Sequence, residues 1–174
     1  MSKLVFGYGS LMNRESLLST VPTATDIRPA IIKGFTRDFS VWDEEGWVST
    51  NLDVTGKPFC ALDVQTTDDP EALVNGIIFA IPDEDLPKLL AREHDYTTIR
   101  TTAYDFVTQQ PIGETIVFSS GKNNGQYDKN SLAQQRYWDV CLAAAREYGD
   151  DFYQMFIDTT RLPFDLNVGK EKLK

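Results

Sequence analysis

The residues Gly7, Gly9 and Ser10 follow a short apolar run and have the character of an anion-binding turn. Two glycines let neighbouring backbone N–H groups converge with no Cβ in the way, and a helix starting just afterwards adds the positive end of its dipole. Such a turn suits a carboxylate or a developing oxyanion. It is not a dinucleotide fingerprint, because Met12 occupies the third glycine position. It is not a nucleophile elbow either, because the positions two before and two after Ser10 are Tyr8 and Met12 and not glycines. A purely structural turn is the alternative.

Glu93 is the carboxylate whose spacing favours acid–base chemistry. A helix is predicted from about residue 85 to residue 93, and within it Glu93 shares a face with three leucines, Leu86, Leu89 and Leu90. A carboxylate on that inward face is desolvated, which raises its pKa toward values useful for proton transfer near neutral pH. The alternative is that Glu93 turns to solvent at the helix end or pairs with Arg92 or Arg100.

The single histidine and the two cysteines do not predict a metal site. His94 is the only histidine, and it is distant in sequence from Cys60 and Cys141, so no ligand spacing is present. Cys141 falls on a helical stripe of core residues and Cys60 alternates within a predicted strand, so both are expected in the core. A nucleophilic pair of one of these cysteines with His94 is the alternative.

Apolar runs predict seven or eight strands that would position these residues. The runs cover residues 4–6, 30–32, 35–42, 47–52, 59–64, 73–81, 103–109 and 115–119. On the strand over residues 35–42, Arg37 shares a face with Phe35, Phe39 and Val41. The strands follow one another mostly as a meander with helices inserted, which predicts an α+β fold with a curled or barrel-like sheet.

Helix signals complete the prediction. Asn13 is placed to cap a short first helix, and Ser131 with Gln134 fits a capping box that opens a helix of about 17 residues ending near Gly149. A shorter helix is predicted over residues 152–157, and the Lys-rich tail after Gly169 is expected to fray. Since no linker or repeat divides the sequence, residues 1–174 are expected to form a single domain.

Composition excludes several classes of function. The chain has 174 residues, of which 41% are hydrophobic and 25% charged, the proportions of an ordinary globular protein. Its formal net charge of −9 disfavours nucleic acid and anionic membrane as partners. No stretch approaches the roughly 20 apolar residues of a membrane span, and no signal peptide is recognisable. Two cysteines are no disulfide framework, so a cytoplasmic protein is predicted.

Four short motifs in order resemble the gamma-glutamylcyclotransferase-like family, which includes a ChaC branch. The first is the loop Phe-Gly-Tyr-Gly-Ser-Leu at residues 6–11, and the second is Gly-Phe-Thr-Arg-Asp-Phe at residues 34–39. The third is Gly-Ile-Ile-Phe at residues 76–79, and the last is Arg-Glu-His-Asp-Tyr at residues 92–96. The resemblance spans residues 4–118, and the segment 42–60 suggests the ChaC branch.

The resemblance implies a small mixed barrel with inserted and C-terminal helices, and an enzyme that releases 5-oxoproline from a γ-glutamyl compound without cofactor or metal. It implies that Glu93 is the general acid and base. Tyr96, three residues later, is a candidate to orient Glu93, and a half-buried packing residue is the alternative. The loop that holds the γ-glutamyl group would consist of Tyr8, Gly9, Ser10 and Leu11. The alternative function is a non-catalytic small-molecule-binding module of the same fold.

Several features stay open at this point. No residue set selects glutathione over a γ-glutamyl dipeptide or amine as the small-molecule substrate. Three further residues, Arg37, Trp42 and Tyr104, are candidates for substrate contact that the pattern does not separate. Neither the oligomeric state nor the role of the C-terminal helices is predicted.

Overall fold

A computed structural model describes residues 1–44, 48–49, 52–53, 57–123 and 125–162 of the chain. Its strands are β1 (Ser2–Gly7), β2 (Thr25–Lys33), β3 (Phe35–Asp43), β4 (Val48–Ser49), β5 (Leu52–Asp53), β6 (Phe59–Thr66), β7 (Leu73–Pro82), β8 (Thr97–Asp105), β9 (Pro111–Ser119) and β10 (Thr160–Arg161). Its α-helices are α1 (Arg14–Thr20), α2 (Leu86–Arg92), α3 (Leu132–Arg146) and α4 (Asp150–Thr159).

Five strands form a closed barrel in the order β1-β7-β2-β8-β9. The pairs are antiparallel except for β1 with β9, which run parallel and close the barrel. Closure requires a close approach at Gly76 of β7, where a Cβ would lie 2.3 Å from the carbonyl oxygen of Gly7. The predicted α+β barrel fold is confirmed, and the barrel fixes the position at which the chain leaves β1.

A second sheet, in the order β10-β3-β6, packs beside the barrel under α3 and α4. A register shift between Phe39 and Val41 lets both Ser40 and Val41 be buried in β3. At the open edge of β6, the backbone N–H of Cys60 donates to Gln134 Oε1 at 2.7 Å, and Gln134 Nε2 donates to the Cys60 carbonyl at 2.9 Å. The Gln134 side chain thereby satisfies a strand edge that no further strand covers in the part of the chain that the structure describes.

This use of Gln134 corrects one prediction. Ser131 caps α3 as expected, since its Oγ accepts from the Gln134 N–H at 3.4 Å. The Gln134 side chain, however, binds the β6 edge instead of returning to the helix N-terminus, so the capping box is half formed. A buried strand edge offers two backbone groups that would otherwise lack partners, and these outweigh the local bond.

The boundaries of β8 also differ from the prediction. The strand begins at Thr97 and ends at Asp105, whereas residues 103–109 were predicted. Threonines suit a half-exposed strand even without an apolar run. The strand ends where Asp105 Oδ1 accepts from the N–H groups of Val107 and Thr108.

The other predicted elements are present with shifted ends, except that the single strand predicted over residues 47–52 is wrong: β4 and β5 are two short strands that pair with each other in antiparallel fashion. Asn13 caps α1 by accepting from the Ser16 N–H at 2.9 Å. Within the predicted strand 47–52, residues 48, 49 and 52 lie in β4 and β5, and residues 47, 50 and 51 lie outside the described residues. The tail after Gly169 lies outside them too. None of the described helices is long and apolar enough to cross a bilayer.

Candidate active site

All six residues predicted for the site line one narrow cavity of about 30 Å3. They are Tyr8, Gly9, Ser10, Leu11, Glu93 and Tyr96. Leu62, Phe118 and Tyr137 complete its wall. A larger cavity of about 420 Å3 adjoins it, because both are lined by Ser10, Glu93, Tyr96 and Tyr137. The narrow cavity thus lies where the β1 loop, the end of α2, the β6 edge and α3 meet.

The β1 loop is fixed by contacts at both ends. The Tyr8 hydroxyl donates to the carbonyl of Phe118 in β9 at 2.6 Å. A 3-10 turn follows at Ser10–Met12, in which the Met12 N–H donates to the Gly9 carbonyl at 3.0 Å. A Cβ on Gly9 would lie 3.2 Å from the Tyr137 hydroxyl oxygen, so the backbone approaches α3 closely at this glycine.

Glu93 is the residue that ends α2. Its N–H donates to the Leu89 carbonyl at 2.9 Å, and its φ and ψ of −93° and 40° leave the helical region. Leu89 is fully buried, but Leu90 is 40% exposed, so the predicted inward face of three leucines is wrong for Leu90. The chain leaves the helical conformation at Glu93 itself, one turn after the buried Leu89, and Glu93 lines the cavity there.

The Glu93 carboxylate is partly desolvated and ion-paired. Its side chain is 15% exposed, and Oε1 lies 3.1 Å from Nε of Arg92. Burial raises the pKa of Glu93 above its ordinary value, while Arg92 and His94 oppose the rise. Both sequence alternatives therefore hold in part, because the carboxylate is desolvated and also pairs with Arg92.

Three tyrosines line the narrow cavity together with Glu93, and the hydroxyl of each forms a hydrogen bond with a backbone group. Tyr96 donates to the Leu62 carbonyl at 3.0 Å, Tyr137 accepts from the Leu62 N–H at 3.0 Å, and Tyr8 binds Phe118. Burial raises the pKa of all three well above the ordinary value, so they are neutral. Tyr96 contacts Glu93 through its backbone N–H, which donates to the Glu93 carbonyl at 2.9 Å.

A second buried carboxylate, Asp63 of β6, lies behind Tyr8. Its Oδ1 accepts from the Ser120 N–H at 3.0 Å and its Oδ2 from the Ser120 hydroxyl at 2.6 Å. The Tyr8 hydroxyl oxygen lies 3.5 Å from Oδ1. Burial raises the pKa of Asp63, and the bonds from Ser120 oppose the rise. Asp63 does not line the narrow cavity but supports its wall.

The three undecided candidates separate in the structure. Trp42 lines the larger cavity. Tyr104 lies on β8, where the Lys33 ammonium sits 4.5 Å from its ring centroid, away from both cavities. Arg37 is fully buried and lines neither cavity, so its candidacy for substrate contact is wrong. Its neighbours on the strand face are core residues, and that pattern already pointed inward.

The thiol alternative finds no support in the geometry. Cys60 and Cys141 are fully buried, and burial raises the pKa of each to about 12. Such a thiol is not ionised near neutral pH and is a poor nucleophile. The His94 side chain is 71% exposed and points at Asp95. Among the described residues, no group of three or more His, Cys, Asp or Glu side chains is placed to hold a metal ion.

The sequence was compared with known proteins and families. A model of the family described as ChaC-like protein matches residues 3–152. The chain belongs to this ChaC-like family. No curated protein sequence shows significant similarity to it.

Solved structures similar to this ChaC-like chain share its fold at low sequence identity. One is a gamma-glutamyl cyclotransferase, with a TM-score of 0.67 and 17% identity, covering 99% of both chains. Another is a gamma-glutamyl cyclotransferase specific to glutathione from yeast, with a TM-score of 0.61 and 15% identity, covering 91% of this chain and 95% of the other. YkqA from Bacillus subtilis has a TM-score of 0.66 and 18% identity over 90% of this chain and 53% of its own.

Sequence reasoning on this ChaC-like chain missed two residues of the site region. Asp63 lies inside a predicted strand, and a carboxylate flanked there by Leu62 and Val64 is itself a signal of a satisfied buried charge. The position of Tyr137 on a helical core stripe predicts packing alone. Its hydroxyl reaches the cavity because α3 packs on the β6 edge, and no local pattern reports that contact.

Proposed function

We propose that this protein is a γ-glutamyl cyclotransferase that releases 5-oxoproline from a γ-glutamyl compound. The observation that carries the proposal is the partly desolvated Glu93 carboxylate in the same narrow cavity as the glycine-containing loop at residues 8–11. Membership of the ChaC-like family supports it, and so does the fold shared with proteins of that activity.

In this proposal the narrow cavity receives the amino-acid end of the substrate. Backbone N–H groups of the loop from Tyr8 to Leu11 bind the α-carboxylate, as the start of a turn suits an anion. The α-ammonium group then faces Glu93 across the cavity. The larger cavity, with Trp42 and Phe59 on its wall, is wide enough for the amine that leaves.

The reaction needs one proton carrier and no protein nucleophile. Glu93 takes a proton from the α-ammonium group, and the freed amine attacks the γ-carbonyl carbon of its own chain to form the new C–N bond. The bond from the γ-carbon to the departing nitrogen then breaks as Glu93 returns its proton to that nitrogen. The second proton of the attacking nitrogen passes to the released amine, which is an ammonium ion at neutral pH, and the ring keeps a single N–H. Holding the amine and the carbonyl together supplies much of the rate, because ring closure depends on conformation. A pKa raised by burial makes Glu93 a better match for both transfers.

The proposal is tested by 5-oxoproline release from glutathione, γ-glutamyl dipeptides and γ-glutamyl amines, with Glu93→Gln assayed in parallel. The wild type is expected to turn over at least one compound. The variant is expected to fold normally and lose activity at least about 100-fold, since an amide neither accepts nor releases a proton near neutral pH.

Glu114→Gln is the matched control, because Glu114 is an exposed glutamate of β9 that pairs with Arg100. It should keep full activity. Full activity in Glu93→Gln would overturn the mechanism. Stabilisation by a γ-glutamyl ligand without any turnover would identify a binding module instead.

A further inference from the structure

Arg92 connects three parts of the site through a single guanidinium group. Its Nε lies 3.1 Å from Glu93 Oε1. Its Nη1 donates to the Ser16 carbonyl at 2.8 Å and to Thr20 Oγ1 at 2.9 Å, both on α1. Its Nη2 donates to Ser16 Oγ at 2.9 Å and reaches Ser10 Oγ in the loop at 3.4 Å. The general acid–base candidate, the loop and the first helix therefore share one rigid partner.

We infer that Arg92 is a positioning residue, which holds the Glu93 carboxylate at a fixed place relative to the loop. The inference rests on the proposed function, because it assigns a role in that reaction. A planar guanidinium has N–H donors on several sides, so it can bind α1 and Glu93 at once. A Lys ammonium is a compact point charge and cannot span the same partners. Proton transfer depends on this placement, since small displacements of a catalytic group are costly.

Other titratable groups also face Glu93. His94, Asp95 and Tyr96 follow it on the same segment. Other parts of the chain contribute Tyr8 after β1, Asp43 on β3, Glu44 just after β3, Lys122 after β9 and Tyr137 on α3. Asp63 on β6 lies behind Tyr8 and does not line either cavity. The side chains of His94 and Lys122 are 71% and 49% exposed, so solvent screens their charges. Arg92 is only 15% exposed and in direct contact, so its charge acts on Glu93 at short range.

The test compares Arg92→Met, Arg92→Lys and Thr20→Val with the wild type. Arg92→Met should lower kcat/KM at neutral pH between about 10- and 100-fold. It should also move the acidic limb of the pH profile to higher pH, because Glu93 loses the cation that favours its ionised form. Arg92→Lys should keep the acidic limb of the pH profile near its wild-type position, because the positive charge is retained. It should still lower kcat, because an ammonium group cannot span the same partners. Thr20→Val removes one anchor on α1, leaves the ion pair and should lower kcat less.

Arg100→Met is the matched control, because Arg100 is 66% exposed and pairs with Glu114 far from the cavities. Its pH profile should match that of the wild type. If Arg92→Met keeps the wild-type kcat/KM and pH profile, the inference is overturned. A loss of activity that only follows a loss of folded protein, with the acidic limb unmoved, overturns it as well.

A second readout separates this inference from the proposed function. Protein labelled with 13C at the glutamate Cδ reports the titration of Glu93 directly, and the Glu93→Gln variant identifies its resonance. Arg92→Met should raise the Glu93 pKa and Arg100→Met should not. If the Glu93 pKa rises in Arg92→Met while the wild type releases no 5-oxoproline, the proposed function is wrong, but the positioning of Glu93 by Arg92 is supported. An unmoved resonance beside an active wild type overturns the inference alone.

Discussion

Two arginines, Arg37 and Arg92, sit close to the same loop but in opposite environments. Arg37 is fully buried, and none of the described residues offers it a carboxylate at ion-pair distance. Its guanidinium donates to backbone carbonyls and neutral side chains: the Asn75 carbonyl at 2.6 Å, the Phe156 carbonyl at 2.9 Å, Thr159 Oγ1 and Thr160 Oγ1 at 2.9 Å, and the Tyr8 carbonyl at 3.3 Å. Arg92 is partly exposed and pairs with Glu93.

Arg37 stabilises the fold, whereas Arg92 positions a catalytic group in the proposed function. Burial lowers the pKa of Arg37 to about 9, and its charge is kept by the neutral acceptors around it. Apart from the Tyr8 carbonyl in the loop after β1, those acceptors belong to α4, β7 and β10, so Arg37 ties the C-terminal elements to β3 and to the loop. Arg92 instead sits beside a carboxylate at a cavity, where Glu93 exchanges a proton with the substrate in the proposed reaction. The C-terminal helices, whose role the sequence left open, thus support the loop from behind.

The largest effect that tests this contrast is expected for Arg37→Met. Removing the guanidinium leaves several buried carbonyl and hydroxyl acceptors without donors, and each costs about 1–3 kcal/mol. We therefore expect the free energy of unfolding to fall by at least about 3 kcal/mol in urea titrations, whereas Arg92→Met should lose far less. Equal losses of stability in the two variants would break the contrast.

A smaller effect on the free energy of unfolding is expected for Asp63→Asn. Asp63 is a buried carboxylate whose Oδ1 accepts from the Ser120 N–H at 3.0 Å, and among the described residues it has no cation at ion-pair distance. The folded-state pKa of Asp63 is raised, so its favourable contribution is complete at low pH and is lost as pH rises through that pKa. Asn keeps both Ser120 partners and does not ionise. The variant should therefore gain stability relative to the wild type between acidic and neutral pH, by about 1 kcal/mol or less.

Unfolding titrations across that pH range measure this difference. A wild type that gains stability over Asp63→Asn as pH rises would show that Asp63 favours its charged form in the folded state. The charge of Asp63 would then be compensated like that of Glu93, and the contrast between paired and unpaired buried charges would narrow.

Local sequence patterns predicted the residues that line the cavity better than the long-range contacts that hold those residues in place. The glycine loop at residues 7–10 and the glutamate at residue 93 are predictable, because a turn and a helix end depend on only a few neighbouring residues. Most strands followed from apolar runs for the same reason. The sequence does not predict contacts between residues far apart in the chain. The Gln134 side chain binds the β6 edge instead of its own helix end, and the Tyr137 hydroxyl binds Leu62. Arg37 donates to acceptors on three other elements. The start of β8 was missed because its threonines form a strand with little apolar signal.

In the proposed reaction the α-amine of the substrate, and not water, attacks the γ-carbonyl carbon. The direct measurement is mass spectrometry of the product formed in water enriched in 18O by the wild-type protein. We predict 5-oxoproline without 18O, because ring closure leaves the original carbonyl oxygen in place and uses no water. Glutamate carrying 18O in its γ-carboxylate would show hydrolysis and contradict the account.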